Sequence, residues 1–371
     1  MVDGRTPNFN RCRGGVSRGS VAVTFELTWC TALLTMERLM IGSLNECIVP
    51  MYPTIQALNV DALSAGEHKF WFAVATDAIG HPQTLAVRVF KGKKPGKRIM
   101  ITAGVHGDEQ NGILTAQQLA RALVDLDLIG TVTIVPTVNL TGIVRHSRDF
   151  HSAAPDSSST NLNRVFPGSA TGDDASRYAN SLWENLLKPN ADLAIDLHSQ
   201  TSGSAYPLYA FADYRLEDSI RMARLINPDV ILNDPGDPGI LETVYNQAGI
   251  PSITIEVGIG RYTDLEMIDR ATNGVLNILK SYEIIPGIVE LNDTLCVEGK
   301  EIISVRAKQG GFVICHVELM DMVIEGQVLA IQYNSFGDEV ETYTAPVTGT
   351  VISHNVESVR APGSLVVRLI R

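Results

Sequence analysis

Three short stretches of this 371-residue chain end on side chains that could hold a metal ion. In residues 97–111 (KRIMITAGVHGDEQN) an apolar run breaks at Gly104, and His106 and Glu109 follow within one turn. Residues 191–198 (ADLAIDLH) finish on His198, and residues 252–256 (SITIE) finish on Glu256. Two histidines and one carboxylate leave a fourth position open on a tetrahedral zinc, which is the arrangement of a catalytic site. A second, unligated glutamate is what such a site needs to take a proton from an activated water. A bare HxxE is common in turns. Its combination with two further strand ends carries the weight.

The elements that must position these groups can be read from periodicity. Ile99, Met100, Ile101, Thr102 and Ala103 form a short buried-strand run, and from Gln110 onward the apolar residues take helical spacing. His106 and Glu109 therefore sit where a strand ends and a helix begins, the place where open α/β sheets build ligand sites. If the three strands lie parallel and adjacent, His106, Glu109, His198 and Glu256 converge on one rim. Asp196 lies two residues before His198 and so on the same side of its strand. It is a candidate to orient His106 or His198 through the far ring nitrogen, or else simply a core-edge carboxylate.

HGDE (106–109), NLNRVFPG (161–168), DLHS (196–199) and IEVG (255–258), in that order, resemble the succinylglutamate desuccinylase/aspartoacylase family, within the zinc carboxypeptidase-like hydrolases. The likeness runs over roughly residues 65–371. It implies an α/β class chain: a three-layer α/β/α zinc carboxypeptidase-like domain with a mixed central sheet, plus a small C-terminal β domain. It also implies one Zn2+ per chain and hydrolysis of the amide of an N-acyl amino acid. Carried over by motif, His106, Glu109 and His198 are the zinc ligands and Glu256 is the catalytic base. Asn163 and Arg164 match residues that hold the substrate carboxylate, and Arg148 matches an arginine near the oxyanion, with Arg145 competing for that role. The family more often reads HGNE, so Asp108 is a departure beside the metal pattern.

Other segments fit that frame. Residues 67–92 read as two strands around a Gly80-His81-Pro82 turn. Residues 141–168 form a long polar stretch without periodicity, expected to wrap the site; His146 and His151 lie in it as improbable further ligands. Helical spacing recurs in 175–187, 216–226 and 263–282. Tyr206 and Tyr209 are expected as pocket walls, and Arg261 and Tyr262 as residues near substrate. From about Ile288 the texture changes to short strands with glycine turns, similar to the family's C-terminal domain, where Tyr333 and Tyr343 are the aromatic candidates to reach the site. The boundaries expected are 1–50 for an N-terminal extension, 51–287 for the hydrolase domain and 288–371 for the β domain.

Composition narrows the alternatives. A net charge of −11 and a pI near 5.2 leave no electrostatic footprint for nucleic acid. No apolar run approaches the ~18 residues of a membrane span. Five cysteines without a CxxC read as reduced thiols in a cytoplasmic protein. Arg5, Arg11, Arg13 and Arg18 precede a modestly apolar stretch, but Glu26 interrupts it, so residues 1–50 read as an extension upstream of a start at Met36 or Met40. The partner expected is a small-molecule substrate, with a homo-oligomer left open. A zinc carboxypeptidase acting on peptides and a catalytically silent binding protein are the competing readings.

Overall fold

The structure, a computed structural model, describes residues 52–154, 156–291 and 295–371. The extension over 1–50 and the choice of start codon lie outside the described residues. Ten strands form the main sheet. At its centre Ile129–Val135, Lys94–Ala103, Leu193–Gln200 and Ser252–Ile259 lie side by side and parallel. Antiparallel Pro82–Lys91 and Gly66–Thr76 extend it on one side. Leu208–Ala212 pairs antiparallel with Ser252–Ile259 on the other, making the sheet mixed.

Alternation along the central strands assigns each residue to a face. Ile99, Ile101, Ala103, Leu193, Ile195, Leu197, Ile253, Ile255 and Val257 pack against helices Gln110–Ala122, Glu217–Leu225 and Leu265–Ser281. Met100, Val135 and Ala194 face the other way, into a core with helices Asp174–Leu182 and Leu241–Gln247. The result is three layers, helix–sheet–helix. Asp196, His198, Thr254 and Glu256 fall on this second face, where the apolar rows give way to polar ones toward the strand ends. Register makes the row explicit: Thr102 pairs with Asp196 and Asp196 with Thr254, while His198 pairs with Glu256.

The chain's last part builds two smaller antiparallel sheets. Ile302–Arg306, Leu365–Ile370, Gly349–Asn355 and Met322–Val323 form one; Glu339–Thr344, Val328–Tyr333, Gly311–Cys315 and Val359–Arg360 form the other. Val297–Gly299, beyond the expected boundary at 287/288, is still an edge strand of the main sheet, paired with Val230–Asn233. A short strand after the His198 strand, Ser204–Ala205, pairs with Gly349–Asn355. Tyr209, Val230, Leu232, Ile352 and Ile370 form a buried apolar cluster common to both parts. Among the described residues no helix is long and apolar enough to cross a membrane.

Candidate metal centre and active site

His106 and Glu109 are set by the turn that leaves the Lys94–Ala103 strand. Gly107 is required there by close approach: a Cβ on it would lie 2.1 Å from the Gly142 carbonyl carbon. Glu109 occupies the N-cap position of helix Gln110–Ala122 but makes no capping hydrogen bond. Its carboxylate turns instead into the protein, where Oε1 is 2.9 Å from His106 Nδ1 and Oε2 is 2.8 Å from His198 Nδ1. Oε2 also accepts from the Ser199 amide at 3.2 Å. All three side chains are 97% buried.

The donor set suits zinc. His106 Nδ1 and His198 Nδ1 are 3.1 Å apart, and two imidazole nitrogens on one tetrahedral zinc lie about 3.3 Å apart at ~2.05 Å bond lengths. Each far nitrogen faces an acceptor: His198 Nε2 faces Asp196 Oδ2 at 2.6 Å, and His106 Nε2 faces Asn161 Oδ1 at 3.0 Å. With Nε2 donating, both Nδ1 lone pairs point at the common centre, as metal-ligating histidines require. Among the described residues, this is the group of three potential ligand atoms that lie within 4.8 Å of one another. His146 and His151 stand outside it. Burial opposes charge on Glu109 and on His198. Even so, the two histidines hold Glu109 well below its usual range, and Asp196 with Glu109 holds His198 well above its own.

Glu256 stands beside the cluster on the neighbouring strand. Its Oε2 is buried without a hydrogen-bond partner. Burial first, then the Glu109 charge, push its carboxyl up to about 8. Together with His106, His198, Arg148, Asn163 and Arg164 it lines one cavity of about 240 Å³. Arg148 Nη1 donates to Glu109 Oε1. Asn163 Oδ1 accepts from the Leu241 amide at 2.8 Å, tying the 162–164 turn to the next helix. Arg164 is exposed and donates to the Asn163 carbonyl at 2.7 Å.

Several expected placements change. Asp196 orients His198, and it is itself fixed by Thr102 Oγ1 at 2.6 Å; His106 is oriented by Asn161, which sequence reading passed over. Asn161 stood in the quoted NLNRVFPG motif, but nothing in its local pattern marked it as a partner of His106. Tyr206 and Tyr209 are buried and Phe211 lines the cavity instead. Arg261 binds Asp108 Oδ2 at 3.2 Å and the His146 carbonyl at 2.9 Å, so it braces the HGDE turn. Tyr343 is packed inside the C-terminal core, its hydroxyl on Gln332, and Tyr333 pairs within the outer sheet. The C-terminal residue in the cavity is Arg368, from strand Leu365–Ile370.

A helix–sheet–helix layering with a His/Glu/His cluster beside a buried glutamate supplies the residue types that a metal-dependent hydrolase site requires. Residues 95–282, half of the chain, match the succinylglutamate desuccinylase/aspartoacylase catalytic domain. The chain belongs to that family, whose members are deacylating hydrolases. It is 28% identical over 264 residues to the N-alpha-acetyl-L-2,4-diaminobutyric acid deacetylase of Halomonas elongata, covering 68% of this chain and 74% of that protein. Its fold is similar to that of the product-bound ectoine utilization protein EutE (DoeB) of Ruegeria pomeroyi, with TM-score 0.74 and 23% identity over 84% of this chain and 96% of the other. A succinylglutamate desuccinylase of Silicibacter sp. TM1040 gives TM-score 0.71 and 24% identity over 85% and 97%.

Proposed function

We propose that the protein hydrolyses the amide of a small N-acyl amino acid, with zinc held by His106, Glu109 and His198. The observation that carries this reading is the convergence of those three groups within 4.8 Å, beside the unpartnered buried Oε2 of Glu256. Zinc bound there would act as a Lewis acid toward the acyl carbonyl and would acidify water. The remaining work falls to the chain. Glu256 takes a proton from the attacking water at Oε2 and returns it to the leaving amine nitrogen. Its Oε2, buried and without a partner, is free to carry that proton in both directions. Arg148, held on Glu109, meets the charge that develops on the acyl oxygen. Arg164 and the amide nitrogen of Asn163 hold the substrate carboxylate and so fix the acyl group in place.

A cavity of about 240 Å³ favours a small substrate over a peptide chain. In this reading the 51–287 domain supplies the catalytic groups and the 288–371 domain narrows access. Free Cys296 and Cys315 accord with work in the cytoplasm. Aspartate, glutamate and diaminobutyrate derivatives all carry the carboxylate this clamp needs; the Halomonas relative is named for the last.

The test is release of free amine from a panel of N-acyl amino acids and unblocked peptides, with zinc and again with a chelator. Chelator-sensitive cleavage of an acyl amino acid with peptides untouched is expected. Cleavage of peptides alone would move the protein to the carboxypeptidases, and a zinc-loaded sample inert toward all would overturn the enzyme reading.

A further inference from the structure

Arg148 reaches the cavity from a loop, and its place there depends on what holds that loop. It follows the short helix Leu140–Ile143, and its side chain, 35% exposed, donates through Nη1 to Glu109 Oε1. The backbone beneath it is tied to the HGDE turn, where the Gly107 amide donates to the Arg148 carbonyl at 3.3 Å. Asn139 Nδ2 spans the same gap, 3.2 Å from the Val105 carbonyl and 3.5 Å from that of Arg148. These contacts hold the end of the segment. Its crest is held from elsewhere: His146 is left-handed, with φ of +50°, and its carbonyl accepts from Arg261 Nη2 at 2.9 Å.

Arg261 stands just past the exit of the Glu256 strand and is itself left-handed, with φ of +60°. Gly260 before it donates to the Gln200 carbonyl at 2.6 Å, and the Arg261 amide donates to the Asp108 carbonyl at 3.1 Å. Its side chain turns back over the same turn, Nε on Asp108 Oδ2 at 3.2 Å and Nη2 on His146. One residue thus joins the end of the Glu256 strand, the HGDE turn and the Arg148 loop. The contacts close a ring that runs from Glu109 to Arg148, along the chain to His146, across to Arg261, and back through Asp108 to Glu109. Two left-handed residues with side chains meet in that ring, a conformation kept only where surrounding contacts impose it. Asp108 is the departure from HGNE, and it is 7% exposed. Among the described residues Arg261 is its one ion-pair partner, and a carboxylate so buried is poorly tolerated alone. Arg261 is half exposed, so the pair contributes direction more than energy. A planar fork can fix two acceptors on different segments at once, which a lysine ammonium cannot.

We propose that Arg261, paired with Asp108, is a positioning residue for Arg148: it holds residues 145–148 against the HGDE turn so that the Arg148 guanidinium stays on Glu109 at the cavity wall. Arg261 does not itself line the cavity; it acts through Arg148. The kinetic consequence rests on the deacylase reading, whereas the consequence for metal binding does not. A guanidinium on Glu109 Oε1 competes with a metal ion for the same carboxylate, so releasing it should favour the metal.

The experiment is a pair of double-mutant cycles on the full chain. In the first, turnover of the best N-acyl amino acid by zinc-loaded protein is measured for Arg261→Ala alone, and again in Arg148→Ala and Arg164→Ala backgrounds. Arg261→Ala should lower kcat by about tenfold and leave KM within about twofold, as for an interaction made only in the transition state. With Arg148 already removed it should cost less than about twofold; with Arg164 removed the full tenfold loss should return. In the second cycle zinc affinity is read by competition with a chromophoric chelator. Arg148→Ala and Arg261→Ala should each tighten binding by about fivefold, and the double variant should be no tighter than either. Kinetic losses that multiply with Arg148→Ala would overturn the proposal, and so would a loss that disappears in the Arg164→Ala background as well, since that marks general damage to the site. If no substrate is turned over, the deacylase reading falls and the zinc cycle decides: a shared shift sustains the positioning role, and independent shifts or none overturn it. Should Arg261→Ala fail to fold, Arg261→Lys, which keeps the charge on Asp108 and loses the fork, takes its place in both cycles.

Discussion

His198 and Glu256 are register partners on adjacent parallel strands, and both side chains leave the same face of the sheet. The pairing sets the candidate metal ligand His198 and the candidate proton acceptor Glu256 side by side with no loop between them. Their relative position is therefore as stiff as the ladder itself, which is what proton transfer in a confined site needs.

Replacing Glu256 with Gln keeps shape and volume and removes the base. Turnover should fall by about 10²–10⁴-fold while zinc content by elemental analysis stays at that of the wild type. Normal hydrolysis by the variant would exclude Glu256 as the proton carrier.

The outer acceptors Asp196 and Asn161 fix the ring orientation of His198 and His106. Asp196→Asn and Asn161→Ala should each weaken zinc affinity by about 10–100-fold, read by competition with a chromophoric chelator. Unchanged affinity in Asp196→Asn would reduce that residue to a packing role.

Arg368 brings a charge from the C-terminal sheet into the cavity. Arg368→Ala should raise KM by about tenfold and leave zinc content unchanged. A KM equal to that of the wild type would place this guanidinium outside substrate binding.

At the opposite end of the His198 strand, Asp192 accepts from the Arg98 side chain at 2.7 Å and from its amide at 2.9 Å. Burial would raise the Asp192 carboxyl, but the Arg98 hydrogen bonds and charge hold it below its usual value. Its stabilisation is thus complete above the unfolded value near ~3.9 and is lost as pH falls through the lower folded value. Asp192→Asn should cost about 1 kcal/mol at pH 7, given the partial exposure of the pair, and nothing once both states are protonated. Thermal melts of the two proteins that stay apart at the lowest pH would contradict this.

The strands ending at Ala103, His198 and Glu256 could be read from sequence because a central parallel strand, buried on both faces, leaves a continuous apolar run with a polar break at its end. Gly66–Thr76 and Pro82–Lys91 were legible for the opposite reason, a clear two-residue alternation around a glycine turn. Asn161 and Arg368 were not legible. Each acts through residues far away in the chain, and nothing in its local pattern distinguishes it from a turn asparagine or a strand arginine. Tyr333 and Tyr343 drew attention because aromatics often wall pockets, yet Tyr343 is spent on the packing of its own sheet.

The ladder between Ser204–Ala205 and Gly349–Asn355 has a bearing on how entry to the cavity can vary. It joins the sheet that carries Arg368 to the loop that follows the His198 strand, while the His106, Glu109 and His198 cluster stays at the rim of the central sheet. A substitution on the appended sheet can then change what enters the cavity without disturbing the central strands. The His106, Glu109 and His198 cluster keeps its geometry beneath it.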